Sequence, residues 1–248
     1  MISIRNLKKR FGKLQVLDGL DLDILENETL VLLGRSGVGK SVLLKHIIGI
    51  TKPDEGSIIV DGSKISDLSG PNLYKAIRNM GMLFQGGALF DSMNVEENVA
   101  FYLKEHGDPV TGKKCLRGEI KDKVIHALEM VGLQGTEHQM PSELSGGMRK
   151  RTAMARLIVY RPKVFLYDEP TTGLDPLTAM QINELIVKLK EELKATSVVV
   201  THDVLSAHYV ADRMALIKEG KIAHLAVPNV FMKIQDPFID FFKRIHSP

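Results

Sequence analysis

The chain has 248 residues, 44% apolar and 25% charged, the proportions of an ordinary globular protein, and no run of about 18 apolar residues is present to span a bilayer. The 33 Lys and Arg against 30 Asp and Glu leave a formal charge of only +3, scattered apart from Lys8-Lys9-Arg10 and Arg149-Lys150-Arg151, so charge by itself selects neither nucleic acid nor a lipid surface. A single cysteine, Cys115, excludes an internal disulfide, and no Cys/His spacing suggests zinc, so a metal has to arrive with a ligand.

The opening residues 1–8 read as a strand and lack the charged, apolar and small-residue zones of a secretory signal, which predicts a cytoplasmic chain. Short β-branched and Leu-rich runs at 2–7, 16–24 and 29–33, broken by Gly12, Gly19 and Asn27, predict strands and turns. After a glycine-rich loop, Val42, Leu43, Leu44, Ile47 and Ile48 recur at helical spacing until Gly49. Residues 57–60, closed by Asp61-Gly62, and 81–84 read as further strands. From about 91 to 160 the pattern is mostly helical, with segments at 95–106 and 119–131 separated by a turn at 107–112. Strand 163–167, helix 177–193, strand 197–201 and helix 204–210 then alternate, which favours a parallel sheet flanked by helices. A hairpin at 214–217 and 222–225 precedes a tail carrying Phe231, Phe238, Phe241 and Phe242.

Gly34-Arg35-Ser36-Gly37-Val38-Gly39-Lys40-Ser41 has the Gly-x-x-x-x-Gly-Lys-Ser spacing of a phosphate cradle. Its glycines let successive amides face an anion, Lys40 reaches toward the β- and γ-phosphates, Ser41 is placed to ligate Mg²⁺, and the helix starting near Gly39 adds the positive end of its dipole. Residues 164–167 form an apolar strand ending in Asp168-Glu169, and a strand buried on both faces tolerates charge only at its mouth. Beside a phosphate cradle, Asp168 is placed to hold the metal shell and Glu169 to polarise an attacking water. These residues together predict ATP and Mg²⁺ as the ligands.

Leu144-Ser145-Gly146-Gly147-Met148 resembles the signature of ABC-type ATPases, with Met148 where most members carry Gln. Ser145 is a good N-cap, and Gly146 and Gly147 expose amides at the start of a helix over 148–160, making a second anion site. The resemblance, which covers about residues 1–227, implies an α/β fold: a P-loop NTPase (RecA-like) core with an antiparallel β-subdomain and an inserted α-helical subdomain. It implies one ABC ATPase domain over 1–248, with core and β-subdomain at about 1–85 and 161–227, the helical subdomain at about 86–160 and a tail at 228–248. It further implies that Phe11 stacks on adenine, that Gln85 senses the γ-phosphate and metal, that His202 is the switch histidine near the γ-phosphate, and that Asp175 speaks across a dimer. Gly173 stands where many relatives have Ser or Ala. In the family two copies pack head to tail, each ATP lying between the cradle of one and the signature of the other, so a chain with one of each needs a partner.

The longer stretches 84–99, 143–151 and 168–176 resemble the ATPases of Mla and Mce lipid-transport systems. That resemblance implies a peripheral place on the cytoplasmic face of the inner membrane, integral permease subunits, an MCE-type lipid-binding subunit, and no nucleic acid. An amino-acid or other small-solute importer is the alternative, and a non-transport ABC ATPase a more distant one; a guanine-nucleotide switch would need an Asn-Lys-x-Asp motif, which is absent. Ala88, Leu89 and Phe90 read either as permease contacts or as packing inside the helical insert. Some lipid-system ATPases clasp the second copy with a long C-terminal extension. This chain ends soon after Phe241-Phe242-Lys243-Arg244-Ile245, which predicts no such clasp.

Overall fold

The computed structural model describes residues 1–109 and 111–246, the side chains of 242–246 excepted. Val110 of the predicted turn and the side chains of Phe242 and Ile245 in the predicted tail therefore lie outside the described residues.

Two sheets organise the chain. The first is antiparallel, built from β1 (Ile2–Phe11), β2 (Leu14–Ile24), β4 (Glu55–Val60) and β5 (Ser63–Lys64) in the order β2-β1-β4-β5. β1 runs four residues further than the apolar pattern predicts. Its charged end is held from neighbouring segments: Lys8 pairs with Glu55 at 2.7 Å, Lys9 with Asp54 at 2.8 Å, and the Arg10 guanidinium donates to Gln15 at 3.0 Å. The second sheet contains β3 (Thr29–Leu33), β6 (Met80–Leu83), β7 (Val164–Asp168), β8 (Thr196–Val200), β9 (Arg213–Lys218) and β10 (Lys221–Ala226), in the order β10-β9-β3-β8-β7-β6. All neighbours in it are parallel except the β9–β10 hairpin.

Because this sheet is covered on both faces, its strands read as continuous apolar runs whose alternate residues enter different cores. Val31 and Leu33, Phe165 and Tyr167, and Met214 and Leu216 point into one core; Leu30 and Leu32, Val164 and Leu166, and Ala215 and Ile217 point into the other. The second core is closed by α1 (Lys40–Ile47) and the antiparallel sheet. The first is closed by α3 (Val95–His106), α4 (Arg117–Met130), α5 (Gly146–Ile158), α6 (Pro176–Leu193) and α7 (Val204–Val210).

Three helices lay outside the sequence expectation. α2 (Gly70–Ile77) lies in a stretch given no element by the sequence pattern and has Pro71 at the helix start, where its missing N–H is no loss. α8 (Pro228–Phe231) and α9 (Pro237–His246) give helical form to the tail. Phe231 is buried against the first core and Asp240 N donates to Asp236 O at 2.8 Å. α5 starts and ends two residues earlier than the apolar spacing suggests, because Ser145 caps it by accepting from the Met148 amide at 3.2 Å. Among the described residues no helix is long and apolar enough to cross a membrane.

Candidate functional site

β3, the loop 34–39 and α1 follow one another as the cradle spacing requires. Gly39 adopts φ 104° directly before the helix, and a Cβ there would meet Val16 Cγ1 at 2.8 Å, so backbone conformation and close approach both call for glycine. Gly37, at φ 79°, has open space around it. A cleft of about 490 Å³ is lined by Val16, Ser36, Gly37, Gly39, Lys40, Ser41, Val42, Gln85, Glu169 and His202.

Lys40 is buried and donates to Gly34 O at 2.8 Å and Arg35 O at 3.2 Å, with Glu169 Oε1 3.8 Å away. Burial lowers its pKa, opposed by the carboxylates of Glu169 and Asp168. The ammonium is thus held by acceptors at the mouth of the glycine loop, a positive charge placed where a polyanion would meet the cradle. Ser41 Oγ donates to Asp168 Oδ1 at 2.7 Å, bringing two hard oxygen ligands together at the cradle's edge. That donor set fits Mg²⁺ completed by phosphate oxygens rather than a metal held by protein alone, and no group of three or more His, Cys, Asp or Glu side chains suited to a metal occurs among the described residues.

Glu169 leaves β7 at φ 50°, a left-handed conformation that L-residues with a side chain adopt only under constraint. The constraint is visible: its amide donates to Val200 O at 2.8 Å, Thr172 Oγ1 donates to its Oε2 at 3.0 Å, and His202 Nδ1 lies 2.9 Å from the same oxygen. Thr172 was not singled out by sequence, although its place three residues beyond Glu169 offered a signal.

Not every predicted residue meets in this cleft. Phe11 sits 51% exposed at the tip of the β1–β2 hairpin, with Lys9 Nζ 5.5 Å from its ring centre, and does not line the cleft. Arg35 and Val38 line a separate pocket with Asp236, Pro237 and Phe238. Ser145, Gly146 and Gly147 also lie outside the cleft, Gly146 against the loop before α6 and Gly147 against the first turn of α6. A Cβ on Gly146 would meet Leu174 Cδ2 at 3.5 Å and one on Gly147 would meet Thr178 Cγ2 at 2.5 Å. Asp175 caps α6 through the Thr178 amide at 3.0 Å, beside the signature.

The segment after Gln85 is locked from within. Asn98, fully buried, accepts from the Phe90 amide at 2.8 Å, and its two side-chain N–H groups are shared among the carbonyls of Phe90, Met93 and Asn94. Arg156 donates to Ala88 O and Gly87 O, and its guanidinium lies 5.7 Å from the Phe90 ring centre. Leu89 packs against the first core, as the packing reading expects, whereas Phe90 is 40% exposed and Ala88 is exposed. Asn98 and Arg156 were missed by sequence; Asn98 lies on the buried face of α3, where an apolar residue is the ordinary choice.

A cradle at the carboxyl end of a parallel sheet, facing a carboxylate and a histidine from the two neighbouring strand ends, defines a nucleotide-hydrolysing P-loop protein. Residues 17–172 match the ABC transporter family, and the chain belongs to it. It is 41% identical to the probable ribonucleotide transport ATP-binding protein mkl of Mycobacterium leprae over 97% of this chain and 68% of that one. It is 39% identical to the intermembrane phospholipid transport system ATP-binding protein MlaF of Haemophilus influenzae over 95% of this chain and 87% of that one. Methionine import and sulfate/thiosulfate import ATP-binding proteins stand among the relatives as well. A solved dimeric ATP-binding cassette in a post-hydrolysis state with ADP and Pi superposes at a TM-score of 0.82 and 31% identity, covering 92% of this chain and 99% of that one. The chain is thus an ATP-binding, ATP-hydrolysing ABC cassette.

Proposed function

We propose that two copies of this chain, arranged head to tail, drive phospholipid or related lipid transport through a membrane permease, with MCE-type lipid-binding subunits and the permease as partners and the cytoplasmic membrane face as the place of work. The observation carrying the two-copy reading is the separation within one chain of the cradle cleft from Ser145, Gly146 and Gly147: the second anion site needs an ATP that another copy holds. The lipid reading is supported by the long motifs around Gln85, Met148 and Asp168 and by the likeness to a phospholipid-system ATPase.

In this reading the loop 34–39 and Lys40 bind the phosphates, Phe11 stacks on the adenine, and Ser41, Asp168 and Gln85 hold Mg²⁺. The ion, when bound, neutralises charge on the β- and γ-phosphate oxygens. Glu169 polarises the attacking water, His202 fixes that carboxylate and faces the γ-phosphate, and Asp175 reaches the second copy. ATP closes the pair and hydrolysis opens it, and the rigid segment 86–93 passes the motion to the permease.

Tagged chain purified from gently solubilised membranes tests the assignment. Co-purification of a permease with an MCE-type subunit supports it; a periplasmic amino-acid receptor in their place overturns it.

A further inference from the structure

Lys150 belongs to a cluster of three basic residues, Arg149-Lys150-Arg151, yet its side chain is only 6% exposed. On α5 it shares a face with Gly147, Met154 and Leu157, all buried, so a charged residue occupies a position in the apolar stripe. Its ammonium donates to the carbonyl oxygen of Gln85 and approaches that of Glu169 at 3.4 Å. Three parts of the machinery thus converge on one nitrogen: the helix that begins with the signature, the loop that carries Gln85, and the strand end that carries Glu169.

Burial disfavours the charged form of Lys150, and the carboxylates of Asp168 and Glu169 oppose that effect. A buried ammonium is tolerated where its donors are satisfied. Both acceptors are main-chain oxygens, so the bonds fix the two loops while leaving the side chains of Gln85 and Glu169 turned to the cleft. At Glu169 the contact holds a carbonyl of a residue already constrained at φ 50°.

We propose that Lys150 is a positioning residue for hydrolysis, tying the signature helix of one chain to the Gln85 loop and the Glu169 strand end of the same chain, so that a signature engaged by a second copy's ATP sets the geometry of its own chain's water-polarising carboxylate. The inference rests on the two-copy reading. It adds an internal link between the half-site a chain offers and the half-site it uses.

The test compares Lys150→Met with Lys150→Arg, measuring kcat, the KM for ATP and melting temperature on the full chain. Because a hydrogen bond from a charged donor is at stake, Lys150→Met is expected to lower kcat by about tenfold with KM changed less than about twofold, since the cradle residues are untouched. Lys150→Arg keeps the charge and several donors and is expected to recover most of kcat. Unchanged kcat in Lys150→Met overturns the proposal. So does an equal loss of kcat, ATP affinity and melting temperature in both variants, which is the mark of disturbed packing. Failure of the two-copy reading shows separately, as a Glu169→Gln variant that stays monomeric at saturating ATP.

Discussion

Glu169 Oε2 and His202 Nδ1 stand 2.9 Å apart, one just past β7 and the other just past β8, neighbouring parallel strands. The carboxylate cannot rotate freely, because Thr172 donates to the same oxygen at 3.0 Å. Glu169→Gln is expected to lower ATP turnover by about 10²- to 10⁴-fold, the range for loss of a general base, while ATP still binds. The check is steady-state hydrolysis beside size-exclusion chromatography with ATP, where the variant should accumulate as a dimer. Turnover at the wild-type rate removes Glu169 from its assigned role.

Ser41 and Asp168 form the proposed metal shelf. Chelating Mg²⁺ with excess EDTA should abolish hydrolysis and Mg²⁺ should restore it, whereas Ser41→Ala should raise the Mg²⁺ concentration needed for half-maximal rate. A metal titration of the rate checks this. An unshifted Mg²⁺ requirement in Ser41→Ala counts against the shelf.

Asn98→Ala would leave the Phe90 amide and three carbonyls without their side-chain partner in a buried site. Loss of such a network costs about 2–4 kcal/mol of stability, readable as a lower urea midpoint. Hydrolysis by the isolated chain should fall less than the stimulation a permease provides, because the loosened segment follows Gln85 rather than the cradle.

Asp236 is buried between Lys218 at 3.4 Å and His224 at 3.5 Å, and the Phe238 amide donates to it at 2.8 Å. Burial pushes its carboxyl up, but the amide bond, Lys218 and His224 together bring it below the ordinary 3.8. A folded pKa below the unfolded one favours the ionised group in the native state. Its contribution is therefore full above 3.8 and is lost as pH falls through the lower, folded value. Asp236→Asn should destabilise the protein at pH 7, and its deficit against the wild type should shrink as pH falls below about 4. Urea midpoints at pH 7 and in that acid range check the sign; a deficit that grows on acidification contradicts it.

Much of this was legible in the order of residues, because local chemistry speaks locally. The cradle at 34–41 is a strand, a glycine loop and a helix start, each with its own short-range cause, and β3, α3 and α7 coincide with the expected spans 29–33, 95–106 and 204–210. Period-2 and 3.6-residue patterns, caps and glycines need no distant partner to be read. The continuous apolar run of 164–167 likewise announced a strand buried on both faces.

What depended on distant partners was decided only in three dimensions. Lys8, Lys9 and Arg10 extend β1 because Glu55, Asp54 and Gln15 come to meet them. Lys150, one of three consecutive basic residues, is turned inward because carbonyls 65 and 19 residues away in sequence converge on it. The sequence by itself determined the phosphate-binding chemistry and the ABC membership, since those rest on contiguous motifs. Tertiary structure decided that cradle and signature lie apart in one chain, and which buried polar groups hold the machinery in register, since those rest on how the sheet and the helical insert come together.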